Sequence, residues 1–341
     1  GNFSQIGNEE VTNGDFSQIG SELVTCGDFS CADPNAEWIT EAGWLISGGS
    51  ANYDFTTNSK YLRQTLLSGG FVSGKSYRIN FEITDGTAYI NIKSNAETLV
   101  SSNLYSTGSY SLYITASANG SDLLIYGINT QGTAFSIDNV SVKEVGQDFI
   151  FGTGWGMGDG KVLNTGGANF SDLTQNNTNI TIGKNYEITY TVSDYVSGSF
   201  KFIMNNNSAS GLERNEDGTY TDYISALSQG YSFRTQGSGF VGSVDNVSVK
   251  EVGQGWTLLN GSSINTDLAT VVANGAISST GNNWSLNQPN VFSPSKNYKI
   301  QFRARQTSGS GNFNVGYAYG FILDEVITSS FVDYSIDFTT T

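Results

Sequence analysis

The sequence predicts an all-β protein, built as tandem antiparallel β-sandwich (jelly-roll) modules preceded by short 13-residue β repeats. Three observations lead there. Apolar residues alternate with polar ones at period two in several segments, the chain repeats itself at about 107 positions, and no helical i, i+3, i+4, i+7 pattern of useful length occurs. Glycine stands at 41 of 341 residues, about 12% against a usual 7%, with only 3 prolines and 13% aromatics. Such a composition suits many short strands joined by tight turns, and its aromatic content and low charge exclude disorder.

The 13-residue repeats come first. FSQIGNEEVTNGD at 3–15 is followed by FSQIGSELVTCGD at 16–28, and Phe29 and Ser30 begin a third copy. A segment so short cannot bury its own apolar residues, so residues 1–30 are expected to stack on a neighbour, on the first module or on other chains. That makes them a candidate assembly or shaft strand through which copies of the protein associate.

The modules follow at 31–147, 148–254 and 255–341. FSIDNVSVKEVGQ (135–147) recurs as GSVDNVSVKEVGQ (242–254), and GKSYRINFEIT (74–84) recurs as GKNYEITYTVS (183–193) and SKNYKIQFRAR (295–305). Within these blocks Tyr77, Ile79, Phe81 and Ile83 alternate with polar residues, as do Tyr186, Ile188, Tyr190 and Val192, and Tyr298, Ile300, Phe302 and Ala304. One apolar face at period two is a half-buried antiparallel strand. Trp44, Trp155 and Trp256 keep the same register, which suits packing in a core. The third module has no counterpart of the DNVSVKEV segment, so it is expected to be incomplete or completed by a partner chain.

Composition narrows the chemistry. There is no histidine, which removes Ser-His-Asp and Cys-His catalysis and imidazole metal sites. With 31 acidic against 16 basic residues the net charge is −15, so neither nucleic acid nor an anionic membrane is an expected partner. No run approaches 18 apolar residues. Acids such as Glu213, Glu216, Asp217, Asp324 and Glu325 sit in turns and read as a solvated face, so the protein is not expected to be an enzyme. Cys26 and Cys31, five apart and the only cysteines, would either close a small disulfide in an oxidising exterior or remain two buried thiols. Sugar rings stack on flat aromatic faces, and Trp38, Tyr53, Tyr61, Tyr195 and Trp284, which do not recur between modules, are the candidate glycan platforms. The alternative for each is partly buried packing.

The frame from ELVTCGDFS to IDNVSVKEV resembles the carbohydrate-binding-module-like jelly-roll domains of tailed-phage tail fibres and other virion structural proteins. The 13-residue repeat also resembles repeats that precede such domains. The resemblance implies an extracellular or virion-surface structural and adhesion protein displaying glycan-binding modules to host surface glycans. It leaves open a self-assembling filament or capsid-decoration protein without a ligand and, more remotely, a polysaccharide depolymerase. It also implies a structural Ca2+ with oxygen ligands from Asp28 and Asp138 in the first module and Asp245 in the second. Against that, Asp138 and its neighbour Asn139 are ordinary turn residues. Modules two and three lack an ELVTNGDFS opening of their own, having only DFIFGTGW and a bare GW.

Overall fold

A computed structural model describes residues 5–176, 179–204, 209–258, 263–265, 268–270, 286–288, 291–309, 312–317 and 320–340. The protein is all-β, with several antiparallel sheets and only one turn each of α-helix (Pro34–Glu37) and 3-10 helix (Leu67–Gly69) among the described residues. Two compact units divide the chain, 1–286 and 287–341. The second begins inside the third module as the sequence delimits it.

In the first module two sheets face each other. One runs Gly108–Thr115, Ser76–Gly86, Phe135–Val145, Ser50–Tyr53, Trp44–Ser47; the other runs Ile39–Thr40, Lys60–Thr65, Asp122–Gly127, Ala88–Lys93, Thr98–Tyr105. The period-two pattern explains the core between them. Tyr77, Ile79, Phe81 and Ile83 from one sheet, with Leu62, Ile90, Ile92 and Ile125 from the other, are at most 2% exposed and share one cluster. Trp44 is buried with them, donating its indole N–H to the Lys60 carbonyl at 2.9 Å.

The second module joins its two layers through long bent strands. Asn185–Ile203 and Tyr231–Val252 pair along nearly their whole length, with register shifts between Ser193 and Ser199. The bend is made by Gly198 (φ 76°), packed so closely on the Gly239 carbonyl that a Cβ there would collide with it. Tyr186, Ile188, Tyr190 and Val192 form the core with Trp155, Phe200 and Phe233. In the second compact unit Asn297–Ala304 pairs with Val332–Thr339, and Phe313–Tyr317 with Gly320–Glu325. Trp256, in the first unit, is half-buried against the small cluster of Val252 and Ile264.

The N-terminal repeats lie against modules of their own chain. Both copies are taken up inside the chain, and they go to different modules. Ile19–Glu22 of copy two pairs with Phe135–Val145 in module one, whereas Ile6–Glu9 of copy one passes module one by and pairs with Tyr231–Val252 in module two. The opening that module two lacks locally is therefore supplied from the far end of the chain.

The two docks use the same contacts. Each closing strand is bulged at its Asp-Asn pair, with Asn139 (φ 54°) and Asn246 (φ 53°) in the left-handed region. Beyond the bulge the Val140 and Val247 N–H groups donate to the carbonyls of Gly27 and Gly14, each at 2.8 Å. A side chain on either glycine would collide with the Val140 or Val247 carbonyl, which is why these positions are glycine. Glu22 accepts from the Ser141 hydroxyl and the Val142 N–H, and Glu9 accepts from the Ser248 hydroxyl and the Val249 N–H. Gln64 clasps Thr25 by its N–H (2.7 Å) and carbonyl (2.6 Å), and Gln175 clasps Thr12 in the same way (3.2 and 2.8 Å). Phe29 and Phe16 then enter the cores of modules one and two at 3% and 2% exposure.

The end of copy one and Phe16, which follows it, also fasten the junction between the modules. Asn13 donates to the Gln147 carbonyl at 3.0 Å, and the Phe16 ring lies 4.8 Å from that of Phe149. In copy two the same position is Cys26, which is joined to Cys31 by a disulfide. Elsewhere at the junction Phe151 donates its N–H to the Gly74 carbonyl (2.7 Å), and the Thr115 hydroxyl donates to the Trp155 carbonyl (3.1 Å).

Phe16→Ala is expected to destabilise module two by about 3–5 kcal/mol, and Phe29→Ala module one by a similar amount. Ser17→Ala, on an exposed link between the copies, should stay within about 0.5 kcal/mol. Denaturant titration of each variant, followed by tryptophan fluorescence, checks this; an unchanged midpoint for Phe16→Ala would show that Phe16, directly after copy one, does not complete the core of module two.

Candidate functional site

On module one, the outward face of the sheet that carries Lys60–Thr65 gathers aromatic, cationic and amide groups. Strand alternation sends Leu62 and Ile125 into the core and leaves their neighbours outside. Register then lines up Tyr61, Tyr126 and Asn91 in one row, and Arg63, Leu124 and Lys93 in the next. The Tyr61 and Tyr126 rings meet edge to face at 5.6 Å, and the Lys93 ammonium stands 4.6 Å from the Tyr126 centroid. Arg63 pairs with Asp122 at 2.9 Å, and Asp122 also accepts from the Thr65 hydroxyl at 2.8 Å.

Two polar atoms in these rows are buried without a hydrogen-bond partner, the Nε of Arg63 and the Oδ1 of Asn91. A buried donor and a buried acceptor left unpaired cost the fold free energy. Beside them lies a depression of about 740 Å3, lined by Arg63, Lys93, Asp122, Leu124, Tyr126 and the 94–98 loop. Burial, and then the nearby carboxylate of Glu41, pushes the Tyr126 phenol above its ordinary value, so it remains a hydroxyl at neutral pH. The face therefore offers aromatic surfaces edged by both donors and acceptors, the chemistry of a sugar-binding platform.

Module two differs at the matching positions. Gln64 and Gln175 play the same part in their docks, and counting back three residues sets Asp172 where module one has Tyr61. There the row reads Asp172, Arg234, Lys201. Arg234 grips Asp172 with two bonds of 2.7 and 2.6 Å. A closed ion pair replaces the aromatic pair, and no stacking surface is presented by this row.

The residues singled out from sequence fall in different places. Tyr61 is on the platform. Trp38 and Tyr53 are not available to a ligand: each is 1% exposed, Trp38 against Phe29 with its indole N–H on the Cys26 carbonyl, and Tyr53 between Trp44 and Phe135. Tyr195 is half-buried on the rim of module two, leaning on Phe240 and donating to the Gly198 carbonyl. Trp284 lies outside the described residues. Sequence reasoning missed Arg63, Asn91, Lys93 and Tyr126; the alternation in KYLRQT, which sets Tyr61 and Arg63 on one face, is the signal that could have found them.

The proposed calcium ligands sit at the bulges. Burial, and then the charges of Asp28 and Glu82, raise the Asp138 carboxyl, against the opposing hydrogen bond from the Asn139 N–H. Asp28 is held low by the Ser30 hydroxyl and N–H. Asp245 is raised by burial and by Asp15, the copy-one counterpart of Asp28. Each bulge thus faces one carboxylate from its docked repeat, and among the described residues no cluster of three or more acidic, cysteine or histidine groups forms. Carboxylates would supply part of the six to eight oxygens that Ca2+ takes, and loop carbonyls and water the rest.

No protein-family model matches the chain, and no curated protein matches it. Among solved structures the chain is distantly similar to tandem carbohydrate-binding modules. The N-terminal CBM22-1–CBM22-2 tandem of Paenibacillus barcinonensis Xyn10C is 10% identical with a TM-score of 0.28, covering 74% of this chain and 100% of that one. The M60 catalytic domain of Clostridium perfringens ZmpB with its CBM51-1 and CBM51-2 domains is 8% identical with a TM-score of 0.20, over 73% and 39%. The arabinose-bound GH51 α-L-arabinofuranosidase is 15% identical with a TM-score of 0.30, over 39% of this chain and only 27% of the arabinofuranosidase. Likeness at this level carries no inference about what this chain binds.

The Asp138 shift gives a pH test. A carboxyl raised in the folded state favours folding below its unfolded pKa of 3.8 and costs stability once pH climbs past the folded value. Asp138→Asn should therefore raise the melting temperature at pH 7, and its advantage should fade as pH falls towards 3.8. An advantage that persists at low pH would show that relief of ionisation is not its cause. Added Ca2+ that raises the wild-type melting temperature at pH 7, but not that of Asp138→Asn, would instead assign the bulge to the ion.

Proposed function

We propose that the protein is a non-enzymatic extracellular adhesion protein whose first module binds a glycan on the face bearing Tyr61 and Tyr126. The observation that carries this reading is the Tyr61–Tyr126 pair with the charged groups of Arg63 and Lys93 beside an open depression. The Arg63 guanidinium and the Lys93 ammonium would donate to sugar hydroxyls while the sugar ring covers a tyrosine. The Cys26–Cys31 disulfide suits an oxidising exterior. A place in a fibre or virion appendage follows only from the resemblance of the GDFS and IDNVSVKEV segments. A filament or decoration protein that binds only copies of itself is the alternative.

Glycan-array screening of the whole chain tests the proposal. Binding should weaken about tenfold or more for Tyr126→Ala, in keeping with loss of one aromatic contact. Lys201→Ala, at the matching row of module two, should leave it unchanged. A blank array with a correctly folded chain would favour the self-binding alternative, and shortening of any glycan would contradict the non-enzymatic reading.

A further inference from the structure

The docked arm, residues 5–29, repeats one set of contacts on both modules, beside the junction contacts of Asn13 and Phe16 and those of Trp38 with Cys26 and Phe29. DNVSVKEVGQ stands at 138–147 and again at 245–254, and the glutamate, glutamine and glycine contacts match pair for pair. An acceptor built this way recognises the repeat sequence and main chain. Nothing in it distinguishes an arm of its own chain from that of another.

The connection between arm and body has the properties of a hinge. Residues 31–37 are exposed except for the half-exposed Pro34, and the single turn Pro34–Glu37 buries no residue. Trp38 marks where the chain re-enters the core. The disulfide from Cys26 to Cys31 holds the end of the arm together without tying it to the modules. Copy one meanwhile closes a loop of some 240 residues, from Glu9 to Val249.

We propose that the arm is exchangeable and that its second partner is another copy of this chain. Residues 5–31 of each protomer dock on modules one and two of the other, forming a reciprocal two-fold dimer that keeps the arm contacts and changes only residues 32–37. The face with Tyr61 and Tyr126 lies on the other sheet from the strand that takes copy two, so exchange leaves it open.

A designed cross-link reads this directly. A Cβ on Gly7 would stand 3.2 Å from the Glu251 Cβ, so a slight outward shift brings the pair into disulfide range. Full-length chain carrying Gly7→Cys and Glu251→Cys, half of it isotopically heavy, is unfolded, refolded at low and at high protein concentration, and then oxidised. The proposal expects peptide mapping to find 7–251 links joining heavy to light chains, their share rising with concentration. Links formed only within one chain at every concentration would overturn it, and so would the absence of any link. Gly20→Cys with Glu144→Cys, the same geometry in copy two, repeats the test should the first pair disturb folding.

Discussion

The structure depends on one pairing: a 13-residue segment laid against the bulged closing strand of a sandwich. Each bulge at Asp-Asn turns a valine N–H out of the main ladder, at Val140 and at Val247, and leaves a hydroxyl and a second N–H beside it. Unfilled, those groups and the pockets for Phe29 and Phe16 would leave both modules with open edges and unfinished cores. The repeat fills all of them at once. Because copy two follows copy one directly, filling both sites also ties module one to module two, and Asn13 and Phe16 reach the junction at Gln147 and Phe149. Residues 1–286 accordingly form one compact unit.

Much of the fold was legible in the sequence. Period-two alternation placed Tyr77 to Ile83 and Tyr186 to Val192 on buried strand faces, and the shared register of Trp44 and Trp155 matched their burial. Copy two lies on the first module, one of the places the sequence left open, but that copy one would pass it by for module two was not legible. A short tandem repeat reads as a stack, because its own periodicity says nothing about acceptors. The information lay elsewhere, in two closing strands of the same sequence that offer two sites for two copies.

The candidate site was legible only through Tyr61, for a related reason. Self-comparison draws the eye to what the modules share, and shared positions are mostly core, as Trp44 and Trp155 are. The platform sits where the modules differ, with Tyr61, Tyr126 and Asn91 in one and Asp172, Arg234 and Lys201 in the other. Trp38 and Tyr53 are unshared too, yet both are consumed by packing, Trp38 against the docked repeat and Tyr53 between two other rings. A lone aromatic therefore says little until strand register shows which polar groups stand beside it. One scaffold thus carries an aromatic face on its first module and a closed ion pair on its second.

The crossed pairing of repeats and modules can be read by zero-length carbodiimide coupling of carboxylates to lysines, followed by peptide mapping. Glu9 lies 3.9 Å from the Lys250 ammonium, and Glu22 lies 3.9 Å from that of Lys143. The account predicts Glu9–Lys250 and Glu22–Lys143 links together. Recovery of Glu9–Lys143 links, or of neither glutamate coupled to these lysines, would contradict it.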